Sequence, residues 1–238
     1  MLVLLRDCKI LSSTTTTSST SNAIYKASGT GILNRVSFIN NYISGGYYGF
    51  YLYAGTGNAA TARGDDIVID SNLIVDQYYY ATYFYYGNFK VNGNTILSKT
   101  NAASTYWYGL RFYYCDINVQ NNKIEQRTDA ITYPYGIYAY YINQNTLSTD
   151  SALVANNTIS IATTSSYYGM YLGYFNGEIL HNTILVKGTT SGYGIFRTGV
   201  SGVSVFRVKN NIIRTTGTSS YPIYFSTAFD ANIRAFTL

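Results

Sequence analysis

The chain's 238 residues are 47% hydrophobic and only 11% charged, which permits one continuous apolar core and marks no second domain, so residues 1–238 read as a single unit. Its 16 basic and 11 acidic side chains leave a net charge of +5, but the Lys and Arg residues are scattered without adjacent runs, which disfavours nucleic acid because phosphate recognition needs a clustered basic stripe. No apolar run reaches the ~18 residues of a membrane-spanning helix, so the chain is not expected to span a membrane.

In chain order, one unit recurs. Leu5, Cys8 and Ile10 open it in degenerate form. Seven full copies follow, each an apolar residue, then an asparagine three positions on, then an isoleucine two further: Phe38/Asn41/Ile43, Ile69/Asn72/Ile74, Val91/Asn94/Ile96, Val119/Asn122/Ile124, Val154/Asn157/Ile159, Ile179/Asn182/Ile184 and Val208/Asn211/Ile213. Apolar residues on both sides of an asparagine predict two short strands facing one core. The asparagine is expected at the bend between them, since Asn visits left-handed backbone conformations at low cost. Between the asparagines lies a second landmark, a small residue followed by an apolar one, as in Gly49-Phe50, Ala81-Thr82-Tyr83, Gly109-Leu110, Gly136-Ile137, Gly169-Met170 and Gly194-Ile195. Period-two alternation after it predicts a strand with one buried face. The asparagines recur at 22 to 35 residues; the variable part falls in loops at 12–21, 55–65 and 141–150.

Repetition on this scale predicts a solenoid. Coils of roughly 22 residues or more without helical periodicity predict an all-β, right-handed parallel β-helix of about eight rungs, each adding ~4.8 Å along the axis. An asparagine ladder would run along one edge, with tyrosine columns outside. Tyrosine is the compositional anomaly, at 28 residues. It precedes the small landmark at Tyr48, Tyr80, Tyr108, Tyr135, Tyr168, Tyr193 and Tyr221. It also fills outward strand slots at Tyr25, Tyr51, Tyr83, Tyr138, Tyr171 and Tyr224, then at Tyr53, Tyr85, Tyr113 and Tyr140.

The runs Val119-Gln120-Asn121-Asn122-Lys123-Ile124, Val154-Ala155-Asn156-Asn157-Thr158-Ile159 and Val208-Lys209-Asn210-Asn211-Ile212-Ile213 resemble those of the right-handed parallel β-helix repeat proteins of the pectate-lyase-like fold, over essentially the whole chain. That resemblance implies the fold. Its functions range over lyases, hydrolases, tailspikes, adhesins and surface repeats.

Catalytic groups are sparse. His181, the single histidine, stands where other rungs have Asn40, Asn121, Asn156 and Asn210, and a hydrogen-bonding role in the ladder is expected of it. A carboxylate pair could draw on Asp65, Asp66 and Asp116, with Asp116 expected at the lateral position of Asp66 two rungs on; this supports the alternative of a polysaccharide lyase or glycoside hydrolase. Cys8 and Cys115 are expected about four rungs apart, too far for a disulfide. No metal or cofactor is expected.

The favoured expectation is a non-enzymatic module, a stalk, adhesin or fibre segment at a bacterial cell surface or outside it. The candidate binding residues are Tyr25, Tyr51, Tyr53, Tyr83, Tyr85, Tyr113, Tyr138, Tyr140, Tyr171 and Tyr224. They would meet a polysaccharide or cell-surface glycan, or another copy by self-association or end-to-end stacking. Neither end carries an evident polar cap, which suggests a segment of a longer repeat protein.

Overall fold

The computed structural model describes residues 2–29, 31–100, 104–143, 151–199 and 205–226. The expectation for the tail after Phe225 and for most of the 141–150 loop falls outside them. The chain is a parallel β-solenoid in which three sheets of eight strands each stack along one axis, giving about seven turns. Strands Gly87–Asn92, Thr95–Leu97 and Ser104–Tyr113 make one complete coil, each contributing to a different sheet. Apart from one short 3-10 turn at Ala60–Ala62, the described residues contain no helix, hence none long and apolar enough to cross a membrane.

Register follows from the core. Ile10, Ile43, Ile74, Ile96, Ile124, Ile159, Ile184 and Ile213 pair in one unbroken column of the second sheet. Those from Ile43 to Ile184 are fully buried. Shifting any strand by one residue would turn these side chains outward. The small landmark faces this column. A Cβ on Gly109 would lie 2.6 Å from Ile124 Cγ2, on Gly136 2.5 Å from Ile159 Cγ2, and on Gly169 2.6 Å from Ile184 Cγ2. In these rungs the two sequence landmarks therefore pack against each other, and the glycine makes room for the isoleucine.

The asparagines stack as a buried ladder. Asn94 presents its backbone N–H and its side-chain Nδ2 to Asn122 Oδ1, at 3.0 and 2.9 Å, and Asn122 does the same to Asn157 at 3.0 and 2.9 Å. Each amide also reaches back to the apolar residue of the preceding rung, as Asn122 Nδ2 donates to Val91 O at 2.9 Å. One side chain thus joins three rungs. Cys8 takes the first slot, its N–H donating to Asn41 Oδ1 at 3.0 Å.

The bend lies one residue earlier than the sequence pattern suggests. The left-handed positions are Asp7, Asn40, Ser71, Gly93, Asn121, Asn156, His181 and Asn210, with φ between 54° and 65°. Each immediately precedes a ladder residue. The corner thus uses two adjacent residues: an outward one that turns the chain, and an inward amide that satisfies backbone groups the turn would otherwise orphan. His181 is one of the outward residues, exposed, with its backbone N–H donating to Lys209 O at 3.1 Å. It is not a ladder group, which corrects the expectation for it. Both cysteines are free, Cys115 fully buried.

Candidate tyrosine-rich face

The outer surface of the third sheet collects most of the tyrosines. Because its strands run parallel and in register, like residues lie one above another at the ~4.8 Å rung spacing. The residues before the small landmark form an unbroken stack: Tyr48–Tyr80 4.8 Å, Tyr80–Tyr108 4.8 Å, Tyr108–Tyr135 4.7 Å, Tyr135–Tyr168 4.8 Å, Tyr168–Tyr193 5.1 Å and Tyr193–Tyr221 5.8 Å between centroids, with planes within 15°. Each such pair contributes roughly 0.5–1.5 kcal/mol, so the six together amount to several kcal/mol and stiffen the rod whatever else they do.

The second column runs Tyr25, Tyr51, Tyr83, Arg111, Tyr138, Tyr171, Phe196 and Tyr224. Tyr51–Tyr83 and Tyr138–Tyr171 stack at 5.0 and 4.9 Å with planes within 5°. Arg111 replaces a ring: its guanidinium carbon is 4.3 Å from the Tyr83 centroid and 5.3 Å from that of Tyr138. Its Nε and Nη1 are buried with no hydrogen-bond partner among the described residues, so cation–π attraction takes the place of water for this charge. Burial pulls the Arg111 pKa down, the neighbouring Tyr83, Tyr80, Tyr85 and Tyr108 push it up, and the net shift is upward. The third column is Tyr53, Tyr85, Tyr113 and Tyr140, with Tyr83 Oη donating to Tyr85 Oη at 3.1 Å.

Two further columns are absent from the sequence reading. Tyr86, Tyr114, Tyr141 and Tyr174 stack at 5.6, 4.5 and 4.7 Å, all in the left-handed region at φ 47–55°. That conformation costs a bulky residue about 1–2 kcal/mol, and the stack offsets it. The available signal was the doublets Tyr85-Tyr86, Tyr113-Tyr114 and Tyr140-Tyr141, in which an outward strand residue is followed directly by a corner residue. At the opposite edge Tyr47, Tyr79, Tyr106 and Tyr133 form a looser column, with centroids 5.1, 5.8 and 5.2 Å apart.

This geometry decides what the face can offer. Two parallel rings with centroids under 5 Å apart cannot lie side by side; they overlap in an offset stack. Ring faces inside a column are therefore covered by other rings, and edges and hydroxyls point to solvent. Burial, reinforced by neighbouring phenols, raises the pKa of Tyr79 and of Tyr168 to about 12. The same two causes move Tyr48, Tyr108 and Tyr135 upward as well. A phenol whose pKa is raised by folding contributes stability that is complete below the unfolded value of ~10 and is lost as pH climbs through the folded value. The melting temperature should hold up to about pH 10 and then fall steeply, with phenolate absorbance lagging behind that of the denatured chain. Phenolate appearing along the denatured curve in a still-folded protein would contradict the stacking.

The acidic candidates lie on the first sheet rather than on the tyrosine-bearing outer surface of the third. Asp65 and Asp66 sit in a bulge, Asp66 at φ 52°. Asn88 pairs with Asp116 in register and faces that bulge, donating Nδ2 to Asp65 Oδ1 at 3.2 Å. Asp66 instead pairs with Lys90 at 3.1 Å, both well exposed. Asp116 lies 3.3 Å from Arg63 Nη2, as an ion pair without hydrogen-bond geometry. Arg63 is itself buried and donates to Asn58 Oδ1 and Tyr114 O at 3.1 and 2.9 Å. Burial raises the Asp116 pKa, Arg63 lowers it and the charge of Asp65 adds to the rise. The three carboxylates are thus held by different partners, and the adjoining groove, lined by Asn88, Lys90, Asp116 and Asn118, is only about 180 Å³. No group of three or more His, Cys, Asp or Glu among the described residues could hold a metal ion.

No family model, no curated protein and no solved structure matches this chain.

Proposed function

We propose that this chain is a non-enzymatic binding module of an extracellular or cell-surface protein, of the stalk, adhesin or fibre kind, and that its tyrosine face holds an extended glycan. The observation that carries the reading is the unbroken first column from Tyr48 to Tyr221, flanked by the second. A straight array of uncharged hydroxyls and ring edges, repeating at the rung spacing, suits a ligand that is itself periodic and rich in hydroxyls. Tyrosine offers apolar area and a hydrogen-bonding tip at small entropy loss. The low charge and the Ser-, Thr- and Asn-rich loops support a bacterial, secreted setting, and the Asn-Asn-x-Ile runs support a right-handed helix of the pectate-lyase-like kind. A second reading, a polysaccharide lyase or glycoside hydrolase, draws on the raised pKa of Asp116 beside Asp65.

Changing Tyr51, Tyr83, Tyr138 and Tyr171 together to Ser should preserve the β-sheet circular dichroism, lower the melting temperature and abolish binding on a glycan array. If the wild-type protein instead forms oligomers that the variant does not, the partner is another copy. Release of unsaturated ends or new reducing ends by the wild type, lost in Asp116→Asn, would establish the enzyme. Undiminished array binding by the quadruple variant would reduce the columns to stiffening alone.

A further inference from the structure

The first tyrosine column is one ring short. At the position paired with Tyr48 the first rung carries Asn22, while the next column already has its ring there, Tyr25, which is 60% exposed and stacks on Tyr51 at 5.2 Å. The outer face of Tyr48 consequently opens into a groove of about 540 Å³ lined by Ser19, Thr20, Asn22, Tyr25, Tyr48 and Tyr51. Its size is that of a small-ligand site. Everywhere else along the column a tyrosine from the preceding rung occupies the equivalent space.

We propose that this groove binds one pyranose ring of a neutral glycan, stacked on Tyr48 in the place a further tyrosine would take. The inference rests on the glycan reading of the face and gives it a specific subsite. Three features select the ligand. The lining contains no charged side chain, which disfavours uronates and sulfated sugars. The open surface is the face of a ring already fixed edge-on against Tyr51 at 4.8 Å and 79°, a rigid platform for the C–H face of a sugar. The third is an unmet acceptor. Asn22 Nδ2 donates to Thr20 O at 3.1 Å, but its Oδ1 is buried with no donor among the described residues. A pyranose carries hydroxyl donors around its whole rim and can supply one there.

The test uses the intact chain with cellohexaose and laminarihexaose as neutral probes and hexagalacturonate as the acidic one, read by saturation-transfer NMR and calorimetry. Wild-type protein should bind at least one neutral probe with contacts to Tyr48 and Tyr25, and hexagalacturonate more weakly. Asn22→Tyr inserts the missing ring: binding should fall by at least about tenfold while the melting temperature stays level or rises. Tyr25→Ala, at an exposed position that leaves the first column untouched, should weaken binding as well and guards against a folding artefact in the first variant. Binding by Asn22→Tyr and Tyr25→Ala equal to wild type would overturn the groove while leaving the face to be judged by the quadruple variant. Failure of the wild type to bind either neutral probe, or a preference for hexagalacturonate, would overturn it too.

Discussion

Ile124→Asp in the central rung should leave the protein unfolded or aggregated, seen as loss of the β-sheet circular dichroism and of any cooperative melt. Ile124 is fully buried, pairs with Ile96 and Ile159, and fills the space left by Gly109. Removing its apolar volume alone costs about 2–5 kcal/mol. Placing an unpaired carboxylate there adds several more, or forces its protonation. Together these reach the range of the ~5–15 kcal/mol of net stability of a typical domain. In a solenoid the loss cannot be confined to one end, because each rung is stabilised mainly through its two neighbours. Ile124→Val keeps both β-carbon branches and should cost only ~0.5–1.5 kcal/mol. A well-folded Ile124→Asp protein would remove this column from the core.

Asn122→Val should cost less than Ile124→Asp but still markedly lower the melting temperature, for a different reason. The side chain is 1% exposed. Its Oδ1 accepts from the Asn94 backbone N–H and Nδ2, and its Nδ2 donates to Val91 O, Gln120 O and Asn157 Oδ1. Valine deletes all of these and strands at least the Asn94 N–H in the core. At roughly 1–3 kcal/mol per stranded group, a loss of about 2–5 kcal/mol is expected. Glycine substitutions separate this from backbone strain. Asn121, at φ 57°, should tolerate glycine with little change, whereas Asn122→Gly should be as harmful as Asn122→Val. The melting temperatures of Asn121→Gly and Asn122→Gly check the point; the reverse order would return the bend to the ladder residue.

These two substitutions mark where the sequence was legible. Apolar, asparagine and isoleucine slots recur at constant offsets, so strand positions, inward columns and rung stacking are all legible in the chain. Parallel in-register stacking then turns sequence recurrence into spatial columns, which is why the three tyrosine columns were visible too. Which member of the Asn-Asn pair turns the chain was not legible. Both residues tolerate left-handed φ, and only the closed corner shows that the second must face inward to meet backbone groups of neighbouring rungs.

The same limit applies outside the core. Tyr86, Tyr114, Tyr141 and Tyr174 sit at corners, where period-two alternation stops and a side chain's direction depends on a φ that a bulky residue rarely adopts. Asp116 does fall at the lateral position of Asp65 and Asp66 two rungs on, as the residue spacing suggested, but the bulge at Asp66 and the side-chain partners Asn88, Lys90 and Arg63 were not legible. Sequence by itself determined the repeating parallel β fold and its columns, because burial and register are periodic properties of the chain. Tertiary structure alone decided that Arg111 is held between two rings and that Asn22 leaves an opening beside Tyr48. Both depend on how side chains are oriented where one rung meets the next, which the order of residues does not contain.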